Sequence, residues 1–390
     1  MKKTLSLFVA LGIATGAVTS CSKSNSSTVT PPVLAPVDTP YTSQSVLTAY
    51  DNFNRFLLDT TNHLYYKNTG KTGFGAIWTQ ATYWDMAMNA YKLTKDDKYK
   101  QLIENIYQGG LKQYDNYNWD NGKVWFIYDD IMWWVITLAR AYEVTGDAKY
   151  LAHSEAGFKR VWSGSKVVGD DGSYDKVNSG MFWQWDQGNP TAPRTDNGKM
   201  SCINYPTVVA AMTLYNATKN EDYLNKAKEI YSWSRNNLFN TSNGKVADSR
   251  HGNSNDWTVH TYNQATCIGA AVMLYNQTKD EAYLKDAVLA ADFTEHYMSD
   301  ANGILPYEGG EEQGVYNAIL AQYMNRLIQD GNKPAYLPWL RKNIQQAWSM
   351  RERSTNLTAK NYYSKPAFDL SVYDASSIPA LMLIAPPAGK

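Results

Sequence analysis

Residues 142–150 read Tyr142-Glu143-Val144-Thr145-Gly146-Asp147-Ala148-Lys149-Tyr150. The recurrent skeleton is an aromatic, Thr three residues on, Asp two after the Thr, and Tyr five after it. It returns as Tyr91-Thr94-Asp96-Tyr99, Tyr215-Thr218-Asn220-Tyr223 and Tyr275-Thr278-Asp280-Tyr283, with a degenerate copy at Ile328-Gly331-Lys333-Tyr336. Copies are separated by about 50 to 75 residues, the length of one helical hairpin with a long return loop. Upstream of the Thr lies an apolar helical stretch, such as Met132 to Tyr142 or Ile268 to Tyr275. Downstream lies an amphipathic one, such as Tyr223, Leu224, Ala227, Ile230 and Tyr231. The Asp or Asn falls where a side chain caps free helix amides. Each copy therefore reads as helix stop, tight turn and helix start, joining an inner helix to an outer one.

Counting back from each turn puts the inner-helix starts near Trp78, Asp129, Asn204, Asn263 and Val315. A sixth start lies near Tyr373-Asp374, ahead of the apolar run from Ile378 to Ala385. Strand-like alternation is scarce. The expected fold is all-α, an (α/α)6 toroid of six hairpins; a solenoid is the rival, and it would call for capping repeats. In a toroid all inner-helix N-termini meet at one mouth. Trp78, Tyr128, Asp129, Asp130, Asn204, Tyr205, Tyr262, Asn263, Gln264, Gln313, Tyr373 and Asp374 are expected there, a polar and aromatic set suited to carbohydrate. Trp183, Trp185 and Trp257 belong to return loops, with sugar stacking and loop packing as the two readings of each.

Asp129 and Asp130 carry the chemistry. An acidic pair at a helix start ordinarily caps amides and meets the positive dipole end. This one is flanked by Tyr128, Trp133 and Trp134. Glycosidic cleavage needs two carboxyl groups, one to attack or activate water and one to protonate the leaving oxygen. Neighbouring carboxylates also split their pKa values, so one ionises while the other holds its proton. Spacing alone does not say which takes which role. Asp85 and Asp256 are read as structural acids.

The N-terminus speaks to compartment. Lys2 and Lys3 precede an apolar run from Leu5 to Val18, too short to span a bilayer, and Val18-Thr19-Ser20-Cys21 reads as a lipobox. Residues 1–20 are thus expected to be a signal peptide, with Cys21 lipidated and residues 21–44 a Ser/Thr/Pro-rich tether. Residues 45–390 form the catalytic domain. Basic and acidic residues balance at 37 each, and loss of Lys2 and Lys3 leaves 35 against 37. Nothing in that balance favours nucleic acid, and membrane contact is expected only through the lipid, at the outer membrane. Cys202 and Cys267 are the remaining thiols; their helix registers differ by about six residues, roughly 9 Å of rise, so both are expected free. The five histidines form no His-x-x-x-His pair, and Asn116, Asn118, Asp120 and Gly122 miss calcium-loop spacing, so no metal or cofactor is expected.

The Tyr128-Asp129-Asp130 block with Trp133-Trp134, Leu138-Ala139-Arg140-Ala141-Tyr142 and Thr145-Gly146-Asp147 resembles glycoside hydrolase family 76. So do Gly180-Met181-Phe182-Trp183-Gln184-Trp185 with Cys202-Ile203-Asn204, and Thr261-Tyr262-Asn263-Gln264, where Ala265 replaces a family Gly. Gln313-Gly314-Val315 and Tyr373-Asp374-Ala375-Ser376 match more loosely, and the resemblance spans residues 45–385. It implies a metal-independent, retaining endo-α-1,6-mannanase acting on α-mannan or manno-oligosaccharides, with Asp129 as nucleophile and Asp130 as acid/base. Two other readings stand beside it: another toroid glycosidase or polysaccharide lyase, and a surface glycan-binding lipoprotein. A lyase calls for a basic cluster that the inner-helix starts lack, and a binding protein has no need of the Asp pair.

Overall fold

The structure is a computed structural model that describes residues 32–37, 39–184 and 198–388. Among these are twelve α-helices: α1 Ser43–Leu57, α2 Ile77–Thr94, α3 Asp97–Gln113, α4 Tyr128–Thr145, α5 Ala148–Ser163 and α6 Ser201–Thr218. They continue as α7 Glu221–Leu238, α8 Thr261–Thr278, α9 Glu281–Phe293, α10 Tyr316–Gln329, α11 Leu337–Ser349 and α12 Val372–Ile384. The even-numbered helices form an inner ring in which each packs on the next and α12 closes on α2. That contact makes the assembly an (α/α)6 toroid and removes the solenoid reading. Inner helices are buried on every face, as in α6, where all residues from Ser201 to Tyr215 are buried, while outer α7 buries only one stripe.

The repeat is a cap-to-cap device. Each Thr hydroxyl donates to the carbonyl four residues back, at 2.8 Å in Thr94, 2.6 Å in Thr145, and 2.8 Å in Thr218 and Thr278. The same oxygen accepts the amides of Asp96, Asp147, Asn220 and Asp280. Those four side chains then cap the outer helices through the amides of Lys98, Lys149, Asp222 and Ala282. The residue between adopts the left-handed conformation, with φ of 58° at Lys95, 76° at Gly146, 58° at Lys219 and 60° at Lys279. The closing Tyr binds each outer helix to its predecessor: Tyr99 to Asp51, Tyr150 to Glu104 and Tyr223 to Glu155.

The sixth hairpin differs from expectation. The outer partner of α12 is α1, from the other end of the chain. Tyr41 seals the join by donating its hydroxyl to Ala385 O at 3.0 Å. The compact unit begins at Val33, because the amides of Ala35 and Tyr41 bind Gln346 and Gln345 on α11. The end of the expected tether is therefore part of the domain. The lipobox lies outside the described residues.

A small antiparallel sheet links two return loops above the ring: β1 Lys199–Met200, β2 Ser249–His251 and β3 Ser254–Asp256. Lys199 pairs with Arg250, and His251 with Ser254. This ladder ties the entrance of α6 to the loop entering α8.

Candidate active site

Asp129 and Asp130 are the second and third residues of α4, and they are only 8% and 9% exposed. The N-cap is Ile127, which makes no side-chain cap. The chain entering α4 is held instead by a bridge from Ile127 to Gln184 and by the Tyr128 amide donating to Trp183 O at 3.1 Å. This fastens the Trp183 loop beside the pair.

The two carboxyl groups have different surroundings. Burial raises Asp129 to about 7, and the neighbouring Cys202 thiol, the Trp183 side chain and the Asp130 and Asp129 amides oppose that rise. Asp130 is raised much further, first by burial, then by the Asp129 charge and by Glu312. Of the two, Asp129 is the easier to ionise and Asp130 the harder. One oxygen of Asp129, Oδ1, has no partner.

Around the pair, four rings from four inner helices close a circuit. Trp78 lies 5.9 Å from Trp133, Trp133 6.5 Å from Tyr262, Tyr262 3.9 Å from Tyr316, and Tyr316 6.4 Å from Trp78. Trp133 is one turn beyond Asp129, so this aromatic floor lies beneath the acids. Trp78 is held by Glu312, which accepts its indole N–H at 2.8 Å. Under Trp133 a void of about 20 Å³ has room for one water, and the buried Asp85–Arg140 ion pair lies beside it.

A second titratable cluster stands at the start of α8. His260 lies between Glu308 and Asp248, with Nε2 at 3.8 Å from Asp248. Burial works against its charge, but Glu308, Asp248 and Asp256 outweigh burial and raise its pKa. The Thr261 amide and hydroxyl both donate to Glu308, at 2.8 and 2.9 Å.

Not every residue expected at the mouth faces it. Asn204 is fully buried; its Oδ1 accepts the Met181 amide at 2.8 Å and its Nδ2 donates to Met181 O and Met200 O. Gln264 likewise holds the Val246 amide and the Gly244 and Ala290 carbonyls. Gln80 occupies the same fourth position in α2 and clamps Tyr65 and Gly75. These amides brace return loops, which leaves Asn204 and Gln264 no free group for a sugar. Tyr205, 1% exposed, lies inside the wall against Cys267 and Tyr231. Tyr128 is wholly buried and donates to Asp170 at 2.5 Å, where Arg160 also binds at 2.9 Å. Asn263 is buried and donates to Asp248 at 3.1 Å. Tyr373 is 2% exposed, and its hydroxyl accepts the Ala76 amide at 2.9 Å, joining the starts of α12 and α2. Trp78, Trp183 and Tyr262 border the acids or the floor. Trp257 is exposed, Asp256 caps a turn at Thr258, and Trp185 lies outside the described residues.

The misplacements on α6 and α8 share one cause. Helix α6 begins at Ser201, not near Asn204, and α8 at Thr261, not near Asn263. Shifting the register by two or three residues rotates Asn204, Tyr205 and Gln264 into the wall. It brings Cys202 to the second position of α6, while Tyr316 and Glu312, also unanticipated, come from the first residue of α10 and the turn before it.

Two adjacent buried carboxyl groups beside aromatic rings in a closed (α/α)6 toroid point to a class, the glycoside hydrolases. Residues 41–383 match the profile of "Glycosyl hydrolase family 76", and the chain belongs to that family. Solved structures agree on the fold. The GH76A α-1,6-mannanase of Salegentibacter sp. HEL1_6 is 22% identical with a TM-score of 0.76, covering 88% of this chain and 98% of that one. An inactive variant of it, with two consecutive aspartates replaced by asparagine, is solved in complex with α-1,6-mannotriose. A family 76 glycoside hydrolase (mannosidase) of Bacteroides thetaiotaomicron is 18% identical with a TM-score of 0.72, covering 87% of this chain and 96% of that one. A comparison with the curated proteins finds no match.

Proposed function

We propose that this protein is a retaining endo-α-1,6-mannanase with Asp129 as nucleophile and Asp130 as acid/base. The observation that carries this reading is the unequal environment of the pair: polar groups beside Asp129 oppose the rise that burial imposes on it, while the Asp129 charge and Glu312 add to the rise that burial imposes on Asp130. The substrate class is taken from the Salegentibacter relative, whose disabled form is solved with an α-1,6-linked mannotriose.

A mannose ring rests on the aromatic floor with its anomeric carbon toward Asp129. The carboxylate attacks that carbon while Asp130 passes its proton to the departing glycosidic oxygen, giving a glycosyl ester on Asp129. Asp130, now ionised, takes a proton from water. The water displaces Asp129 and restores both groups with the configuration retained. Burial limits solvent around the pair and strengthens the charge effects between its members.

Incubation with debranched yeast mannan and with α-1,6-mannobiose is the test. A ladder of oligosaccharides with α-configured first products, and an untouched disaccharide, is the expected result. Initial β-mannose by NMR contradicts double displacement, and mannose released singly contradicts endo action. The lipobox supports attachment through Cys21, and metabolic labelling with a fatty acid that disappears in C21A tests it.

A further inference from the structure

The cluster around His260 and Glu308 takes no part in the double displacement, yet it lies against half of the aromatic floor. Helix α8 starts without a side-chain cap from its own N-cap residue, His260. Glu308, in the return loop that enters α10, supplies one from outside. Its Oε1 accepts the Thr261 amide at 2.8 Å and the Thr261 hydroxyl at 2.9 Å. Its Oε2 meets His260 Nδ1, which must donate, since a carboxylate only accepts. One carboxylate thus ties the loop before α10 to the first turn of α8. The His260 and Glu308 side chains are only 18% and 12% exposed, so water competes weakly for these bonds. The residues that follow carry the floor. Tyr262 comes directly after Thr261 and Tyr316 opens α10; their rings stack 3.9 Å apart with 16° between planes. That is closer than the about 4.5 to 7 Å usual for aromatic pairs, and face to face, an arrangement that ring quadrupoles disfavour. Such a stack has to be held from outside. The His260 ring stands edge-on to Tyr316, at 5.6 Å and 74°, and 6.0 Å from Tyr262.

We propose that Glu308 is a positioning residue for substrate binding: through its bonds to Thr261 and His260 it holds the Tyr262–Tyr316 stack as the platform for a sugar ring, most firmly while His260 is an imidazolium. The proposal rests on the hydrolase reading above and gives this cluster its part in it. The loop before α8 brings two further acids to His260. Asp248 lies 3.8 Å from its Nε2, and Asp256, whose carbonyl accepts the Asp248 amide, stands beside it. Together with Glu308 they favour the charged ring and lift His260 above its ordinary 6.5, although burial works against them. Tyr262 and Tyr316 are the other titratable side chains against the imidazole. Burial raises both, so they stay neutral where His260 titrates. Loss of the imidazolium proton with rising pH turns the ion pair with Glu308 into a weaker hydrogen bond, and the tie between the loop and α8 loosens.

The experiment follows kcat and KM of wild type, E308Q and E308A on debranched α-1,6-mannan across pH, with thermal melts to confirm folding. E308Q keeps acceptors for Thr261 and removes the charge that faces His260; E308A removes both. E308A is expected to raise KM about fivefold with kcat nearly unchanged, the pattern of lost binding and not of lost chemistry. Wild-type KM rises as His260 deprotonates, and in E308Q that rise begins at lower pH. Independently of turnover, NMR follows the rings themselves. The His260 signals, missing in H260Q, titrate above 6.5 in wild type and lower in E308Q. The NOE between the Tyr262 and Tyr316 rings, assigned through Y262F and Y316F, weakens above the His260 midpoint and throughout in E308A. Wild-type KM in folded E308A, a loss confined to kcat, or an inter-ring NOE indifferent to the His260 titration overturns the proposal. Should E308A fail to fold, E308Q decides through the same readings. Wild type that leaves the mannan uncut overturns the substrate assignment instead, and the NMR titrations then decide the role of Glu308 alone.

Discussion

At the residue scale, the acidic pair proposed to do the chemistry opposes the fold that holds it. Both carboxyls are raised by burial, Asp130 the more so because Asp129 is its neighbour. A carboxyl raised in the folded state binds more protons there than in the unfolded chain. Its contribution to stability is therefore full below the unfolded value of about 3.9 and is lost as pH rises through the folded value. D130N removes that loss. It is expected to melt a few degrees above wild type at neutral pH, with the difference shrinking toward pH 4; calorimetry across this range checks it. The same variant is expected to lose about 10² to 10⁴-fold in kcat on mannan, the usual worth of a positioned proton donor. On an aryl mannoside whose leaving group needs no proton, D130N still gives a burst of phenol, whereas D129N gives none. A burst from D129N would exchange the two roles.

At the element scale, the decisive device is the Thr–x–Asp junction between inner and outer helices. Three of its left-handed positions are Lys, each with the ammonium about one ring-width above the preceding aromatic: Lys95 at 5.4 Å from Tyr91, Lys219 at 5.4 Å from Tyr215 and Lys279 at 5.5 Å from Tyr275. A residue with a Cβ in this conformation costs about 1 kcal/mol relative to Gly, and the cation–π contact at an exposed site offsets about half of that. K219G is expected to stabilise by a few tenths of a kcal/mol, while D147A, which removes an N-cap, destabilises by about 1 kcal/mol. Denaturant titrations of both measure the opposed signs. The junction was readable in the sequence because all its bonds are local. The clamps of Gln80, Asn204 and Gln264 were not, because each amide reaches loops that its own helix periodicity says nothing about.

At the scale of the whole molecule, the sixth hairpin is completed where α1 meets α12, two helices at opposite ends of the chain. Removing α1 bares the outer face of α12, whose residues from Val372 onward are almost all buried. Deletion through Leu57 is expected to abolish cooperative unfolding. A circular permutant that joins Pro386 to Val33 by a short linker and opens at the exposed Ser242–Asn243 turn is expected to fold and retain activity. Circular dichroism melts and mannan cleavage compare the two. A cooperative melt of the deletion variant would show that α12 needs no outer partner.

By itself the sequence determined the hairpin count, the position of the Thr-marked turns, the start of every inner helix to within three residues and the place of the acidic pair in the first turn of α4. All of these depend on local hydrogen bonds, helix periodicity and residue chemistry. Only the tertiary structure decided which first-turn side chains face the mouth, since a helix turns about 100° per residue and a two-residue error in its start reverses inside and outside. Tertiary structure alone also paired α1 with α12 and gathered Trp78, Trp133, Tyr262 and Tyr316 from four inner helices. Contacts between helices far apart in the chain have no sequence period to announce them; they follow from the closure of the ring.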